Sequence, residues 1–486
     1  MNRLFLLLGL GLLSFSVACG RGGSSNQGFG SGGNTANSKL SGQYTYELSG
    51  IDLTTSPALF FREAGVFTAD GNGHITAGFD DTAEGSSVAL NAPVTGTYSI
   101  STDGTGSAAL TFSNNSVLTL ALTVIGSSKV NLIEVDSGVT AGGTAELQST
   151  SSFSAAPSGT FAFRFHSFGP ASVAEVGAFT VTSGAISGTA DVNRSGALTS
   201  GVAVTGLFNA PDATSGRGTG TLNDPVNGTT SFSYYMIDSN TAELFSTLPG
   251  VVGLGRAEKQ TVTSFSTASL SGGYAFGSRG DSLAGSGDDA RTVGRFSANG
   301  GGTITGGVFD SAEDGVASSN VSFTGTYTVD SDGRAALTLA PASNIILWMI
   351  SPSRAFFLMN ETASVEDGTV DLQSGSFSNS SLSGTYSFLT DGFTATNTYD
   401  RVGLITADGS GGIGLKYILN LTGVTSSTPV TLHGSYSADA SGNGRVTGSV
   451  DTLSSNLVFY MVSGSQAYIL QNDAGTEIDG SMSKQQ

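Results

Sequence analysis

Disulfide chemistry is closed to this chain. Cysteine occurs once in 486 residues, at Cys19, so neither a bridge within the chain nor a thiolate metal cage can form in its body. Histidine is nearly as scarce, at three residues, which withholds the side chain that most metal and acid–base sites recruit. Proline is low at 10, charged residues make up only 12%, and no segment carries an apolar stripe at helical spacing. Positive charge is outnumbered: 19 Lys and Arg stand against 38 Asp and Glu, giving a formal net charge of −19 and a pI near 4.3. Such a surface repels phosphate backbones and anionic lipid, so nucleic acid is not an expected partner.

What is abundant is glycine, at 70 residues, together with 28 Phe and 13 Tyr. That is the composition of a turn-rich, aromatic fold, and the length exceeds what one hydrophobic core can organise.

The N-terminus reads as an export signal. Arg3 precedes an apolar run from Leu4 to Leu13, and the small residues Ser16, Val17 and Ala18 lead to Cys19. About ten apolar residues are too few to span a bilayer core, so residues 1–18 are expected to be a cleaved signal peptide. The segment Ser16-Val17-Ala18-Cys19 resembles the lipobox of bacterial lipoproteins, although the family usually has an aliphatic residue where Ser16 stands. That resemblance implies that Cys19 is acylated and becomes the mature N-terminus, and Gly20 after it implies the outer membrane; ordinary cleavage and secretion is the alternative. Residues 19–39 are mostly Gly, Ser and Asn, the composition of a flexible tether.

The rest of the chain repeats itself with a period of about 112 residues. Ser41-Gly42-Gln43-Tyr44 recurs as Ser158-Gly159-Thr160-Phe161, Ser271-Gly272-Gly273-Tyr274 and Ser383-Gly384-Thr385-Tyr386. Further landmarks recur from Gly65, Gly177, Gly294 and Gly403, and from Thr95, Thr205, Thr324 and His433. Each copy holds a pair of apolar segments and ends with a Gly five residues before a Gln: Gly143 and Gln148, Gly255 and Gln260, Gly368 and Gln373, Gly480 and Gln485. Four copies follow, at residues 40–153, 154–265, 266–377 and 378–486. Residues 266–377 hold every landmark and are expected to fold alone, and the copies, as tethered units, are expected not to share a core.

Within a copy the periodicity is two. Tyr44, Tyr46 and Leu48 share one face, as do Phe161, Phe163 and Phe165, and Tyr386 shares one with Phe388. Asp-Gly turns at Asp70-Gly71, Asp103-Gly104, Asp332-Gly333 and Asp408-Gly409 separate such runs, where hairpins demand φ > 0. The fourth copy yields eight strands, near Gly384, Arg401, Ile413, Leu432, Val446, Val458, Tyr468 and Met482. The expected fold is therefore all-β: four tandem antiparallel meanders, each an eight-stranded up-and-down barrel whose Gly-to-Gln strand pairs with its opening strand. In architecture this is similar to the calycin barrels of avidins and lipocalins, without any functional residue of those families. A β-sandwich is the alternative.

Candidates for chemistry are few. His74, His166 and His433 fall at non-equivalent positions and are expected at the surface or in turns, without partners. Asp70, Asn72, Asp103, Asp332, Asp408 and Asp439 in Gly-rich turns could suggest calcium, but the column of Asp70 and Asp408 holds Asn299 in the third copy, which turn chemistry tolerates. The GxGxxG patterns at Gly28–Gly33 and Gly409–Gly414 have no following helix, and no GxSxG is present. Arg279-Gly280-Asp281 resembles an integrin-binding tripeptide in a loop expected to be exposed, and is read as accidental. Trp348 is expected to fill a core rather than to stack on a sugar. No cofactor, metal or catalytic residue is indicated. The chain reads as a non-enzymatic envelope lipoprotein, anchored to membrane through lipid, whose repeats form a structural or adhesive array facing an envelope glycan or protein. The alternative is a small-molecule or glycan binder using barrel interiors or mouths.

Overall fold

A computed structural model describes Phe29 and residues 35–283, 289–341, 343–450 and 455–486. Cys19 and the signal segment lie outside the described residues, as does most of the glycine-rich stretch that follows them. In the first copy eight strands follow one another: β1 (Ser41–Asp52), β2 (Leu59–Asp70), β3 (His74–Glu84), β4 (Ser87–Ile100), β5 (Thr105–Phe112), β6 (Val117–Gly126), β7 (Lys129–Glu134) and β8 (Val139–Leu147). Each pairs antiparallel with the next, and β8 pairs back onto β1, Leu147 opposite Tyr44 and Val139 opposite Asp52. The meander thus closes into a barrel, and a sandwich is ruled out. The other three copies repeat the architecture. In the fourth, all eight expected strands are present, and a further two-residue strand, Val424–Thr425, extends one hairpin. Among the described residues the only helices are short 3-10 turns, the longest of them Thr150–Ser154.

The alternation of the opening strand delivers its aromatics to the barrel interior. Tyr44, Tyr46, Phe161, Phe163, Tyr274, Phe276, Tyr386 and Phe388 are all at most 3% exposed, and each such ring stabilises its barrel by about 1.5–3 kcal/mol through apolar burial. Where the first aromatic is Tyr, its hydroxyl donates to a carbonyl across the barrel: Tyr44 to Ser127 O, Tyr274 to Pro352 O and Tyr386 to Gly464 O, at 2.6–2.8 Å. A second set of tyrosines holds the 3-10 turn that opens a copy. Tyr98, Tyr327 and Tyr436 donate to the carbonyls of Leu40, Leu270 and Leu382, whose side chains are buried as stoppers. The second copy has Phe161 and Phe208 at the two tyrosine positions and is stoppered instead by Phe153.

Each barrel keeps its own interior core, but the barrels do not stand apart as tethered units. They close a ring, each packed on the next and the fourth on the first, and every seam has its own apolar cluster. Tyr235 and Phe245 of the second barrel pack on Ala64 and Val66 of the first. Trp348 and Phe356 of the third pack on Val176 of the second, Tyr460 and Leu470 of the fourth on Val293 of the third, and Val402 and Ile418 of the fourth on Ala121 and Ile133 of the first. The expectation of tethered units misses these seams for a simple reason. Outward faces of strands read as solvent-facing when a copy is considered alone, yet here they are small or apolar because a neighbour covers them.

The repeated Gly and Gln of the last strand serve the two closures. At Gly143, Gly255, Gly368 and Gly480 a Cβ would lie 1.8–2.5 Å from a carbonyl oxygen of the opening strand, so only glycine allows that barrel to close. The Gln then closes the ring. Its Nε2 donates to two carbonyls of the next barrel: Gln148 to Ser215 O and Met236 O, Gln260 to Asp332 O and Met349 O, Gln373 to Asn443 O and Met461 O. Gln485 completes the circuit onto Asp103 O and Val124 O of the first barrel, at 3.1 and 2.9 Å.

Candidate functional site at the ring axis

All four barrels contribute to one cavity of about 420 Å³ on the axis of the ring. The seam of each barrel, where its first and last strands meet, turns its outward face to this space. The alternation that sends Tyr44 and Tyr46 inward therefore sends Glu47 and Ser49 to the axis. Arg164 and His166 hold the corresponding positions in the second barrel, Arg279 in the third and Asp391 in the fourth. Seven of the chain's scarce cations line it: Arg62, Lys129, Arg164, Arg256, Arg279, Arg291 and Arg354.

Two girdles of ion pairs cross this cavity. The first runs from the first barrel through the second and third and reaches the fourth at a tyrosine hydroxyl. Lys129 and Arg256 hold Glu146 at 2.9 and 3.1 Å, and Arg256 also binds Glu243 and Glu258. Arg354 bridges Glu258 at 2.9 Å and Asp371 at 2.7 Å, and Tyr468 donates to Asp371 at 2.6 Å. Burial pushes the Glu146 carboxyl up, but Arg256 and Lys129 outweigh it and hold it well below the usual range. Glu243, with burial dominant, is raised to about 7.

The second girdle is broken. Asp367 binds Arg164 at 2.8 Å and His166 at 2.6 Å, and the two bases overcome burial to lower it to about 2. Arg279 binds Asp391 and Asp479, and Arg291 binds Asp479 at 2.8 Å. Beside the first barrel the pairing stops. Among the described residues Arg62 has no carboxylate within ion-pair distance; it donates to Phe61 O and stacks over Phe168 at 5.0 Å, and burial, only partly offset by Glu47, Asp391 and Asp281 from further away, lowers its guanidinium to about 10. Asp400 is 5% exposed and its carboxyl has no hydrogen-bond partner among the described residues, and burial, with Asp391 adding to it, raises it well above the carboxylate range.

Each barrel interior holds an apolar core. In the second barrel a hollow of about 20 Å³ lies between Phe163, Phe208 and Glu175, room for about one water. Burial raises Glu175 there to about 8.

Several expected placements are corrected. Arg279 and Asp281 lie in the strand Ser271–Ser282, not in an exposed loop, and the arginine is committed to the axis. His166 is not a partnerless turn histidine: it sits in the strand Gly159–Phe168, bonded to Asp367 of the next barrel. His74 is exposed beside Asp70, which it meets at 3.0 Å, and His433 is an exposed strand residue. Trp348 is core, but a core between barrels, with its indole donating to Asp191 at 2.9 Å. Turn chemistry engages the candidate calcium carboxylates. Asp70 accepts the N–H groups of Asn72 and His74, Asp408 those of Ser410, Gly411 and Gly412, and Asn299 does the same for Gly301 and Thr303. Asp103 and Asp332 accept from Thr105 and Arg334, while Asp439 lies 3.8 Å from Arg445. The axial carboxylates and arginines were missed because outward strand positions of one copy carry no sign that three others converge on them.

No family model matches the chain, and no curated protein matches it. Among solved structures it is similar to intact Ap-TbpB (N and C lobes), at 9% identity and a TM-score of 0.17 over 73% of this chain and 83% of that one. It is also similar to a mutant of the vaccine antigen transferrin binding protein B from Haemophilus parasuis, at 9% identity and a TM-score of 0.15 over 93% and 76%. Similarity at this level carries no argument about function. Among the described residues, no helix is long and apolar enough to cross a membrane.

Proposed function

We propose that the chain is a non-enzymatic bacterial envelope lipoprotein, acylated at Cys19 and held at the outer membrane, whose four barrels form one rigid structural or adhesive block. The observation that carries this reading is the closure of the ring. Four glutamines of one motif join barrel to barrel in the same way, and the last returns to the first. A chain built to open around a substrate would not tie every copy to its neighbour. The first axial girdle likewise commits its cations to carboxylates, which suits rigidity better than turnover. An extended string of copies is replaced by a compact block, so adhesion would act through the outer surface of the ring toward an envelope glycan or protein.

Two measurements test this. Palmitate labelling should place acyl chain on the wild type and none on Cys19→Ala, which should leave the outer-membrane fraction; label on the variant overturns the anchor. Deletion of the protein should alter either adhesion of the host bacterium or its sensitivity to detergent. A strain unchanged in both overturns the structural or adhesive role.

A further inference from the structure

The break in the second girdle goes beyond a structural block. Of the six arginines lining the axis, Arg164, Arg256, Arg279, Arg291 and Arg354 each touch a carboxylate within 3.2 Å. Arg62 alone does not, although Ser49, opposite it in the pairing of β1 and β2, occupies the position from which an acid could have answered it. On the other side of Ser49 stands Gly142, where a Cβ would lie 3.4 Å from Leu389 Cδ1 and 3.6 Å from Asp400 Oδ1. The backbones of Arg62 and Gly142 are two strand spacings apart, about 10 Å, with Asp400 facing the second of them. At the mouth of this gap Phe60 is 41% exposed and stacks on Phe168 at 4.8 Å.

We infer that this gap is a binding site for a small polyhydroxy acid, whose carboxylate or phosphate pairs with Arg62 while its hydroxyls meet Ser49 and the carboxyl of Asp400. Arg62 is half-buried and in contact with no carboxylate, Glu47 and Asp391 acting on it only from beyond ion-pair distance, and its planar fork of donors matches an oxyanion. Protonated through burial, Asp400 would donate rather than repel. The cavity volume is within the ordinary range for small-molecule sites, and the pairing of the remaining axial cations confines the anion to this one place.

The test uses the mature chain in detergent with glucuronate, inorganic phosphate, glucose and, at matched ionic strength, sodium chloride, read by calorimetry and by melting temperature. Saturable binding of glucuronate or of phosphate, absent with glucose and chloride, is expected, and whichever of the two binds more tightly names the acid group. Arg62→Gln should weaken it at least about tenfold, as loss of a charge-assisted pair does. Should that variant fail to fold, Ser49→Asp supplies the missing anion from within: it should raise the melting temperature and abolish the response. Responses equal to those of chloride, or retained in Arg62→Gln or Ser49→Asp, overturn the site.

Discussion

Three seams of the ring hold a buried ion pair at their centre and one does not. Between the first and second barrels Arg217 forks onto Asp81 at 2.7 and 2.9 Å, and Tyr235 donates to the same carboxylate at 2.6 Å. Arg334 and Trp348 treat Asp191 likewise between the second and third, and Arg445 and Tyr460 treat Asp310 between the third and fourth. In the closing seam the three equivalent positions hold Ile418, Thr105 and Thr123. The triad has been dropped as a unit. Phe29, from the stretch ahead of the first barrel, is buried in the cluster around Ile418, and neutral bonds such as Asn420 to Val139 O and Thr123 to Ser387 complete the contact. One packing problem is thus solved twice, by a buried ion pair and by apolar side chains, in line with the near equivalence of the two in stability. What differs is selectivity. The head-to-tail contacts of a ring could equally run on into a filament. A terminal face bearing Ile418 rejects the Arg of an inner seam, and a first face bearing Thr105 offers no partner to an inner Asp, so the two ends suit each other.

The largest effect is expected where one member of a polar triad is removed. Asp191→Ala leaves Arg334 charged and the Trp348 N–H unsatisfied in a seam where Asp191 is fully buried, and should cost about 3–5 kcal/mol in chemical denaturation. Because the seams tie the barrels together, loss should appear in the transition of the whole chain. Loss confined to a separate transition of the second or third barrel would show that the seams do not couple them.

The converse change sharpens the contrast. Ile418→Asp buries a carboxylate with neither Arg nor Tyr to receive it and should be destabilising by on the order of 3 kcal/mol, the upper range for an unsatisfied buried group. Adding Thr105→Arg and Thr123→Tyr rebuilds the triad, and the triple variant should recover much of that loss. If it is no more stable than the single variant, the three positions are not the unit that the other seams imply.

Much of this was legible before any fold was in view, and the comparison shows which part was not. Period-two alternation placed Tyr386 and Phe388 inward, and Asp-Gly pairs placed the hairpins, because a barrel interior and a tight turn make the same demand in each copy. Seam positions face a different neighbour in each copy. Tyr235, Trp348, Tyr460 and Thr123 therefore look unrelated in alignment, and Trp348 reads as an isolated curiosity. A signal was nevertheless present: Gly-Arg recurs at Arg217, Arg334 and Arg445, lacking only in the first copy, and its Asp partner lacks only in the fourth. Arg62 and Asp400 carried no such signal, since they share one column with Ala174 and Arg291 and its charge changes from copy to copy.

The terminal latch should have a middling effect. Gln485→Ala removes two hydrogen bonds from Nε2 to carbonyls of the first barrel, at about 0.5–1.5 kcal/mol each. A loss of about 2 kcal/mol, comparable to that of Gln373→Ala, is expected. A loss near zero for Gln485 alone would mean that the ring is held shut by Phe29 and its apolar neighbours without the latch.

The smallest effect is expected at the ion pair of the closing seam. Lys416 meets Asp103 at 2.7 Å, but both side chains are about 40% exposed, whereas Asp310 and Arg445 are 0% and 7% exposed. Water and salt screen the first pair and not the second. Coulomb attraction there is further offset by the side-chain entropy lost in fixing a lysine, which leaves such pairs at about 0–1 kcal/mol. Lys416→Ala should therefore cost less than about 1 kcal/mol at low salt and nothing measurable at about 1 M, where the Debye length is about 3 Å. The loss in Asp191→Ala should persist at the same salt. A salt-independent loss in Lys416→Ala would point away from charge and toward its stem, whose ammonium lies 5.9 Å from the Phe29 ring, and the closing seam would then owe its strength to packing at both its centre and its rim.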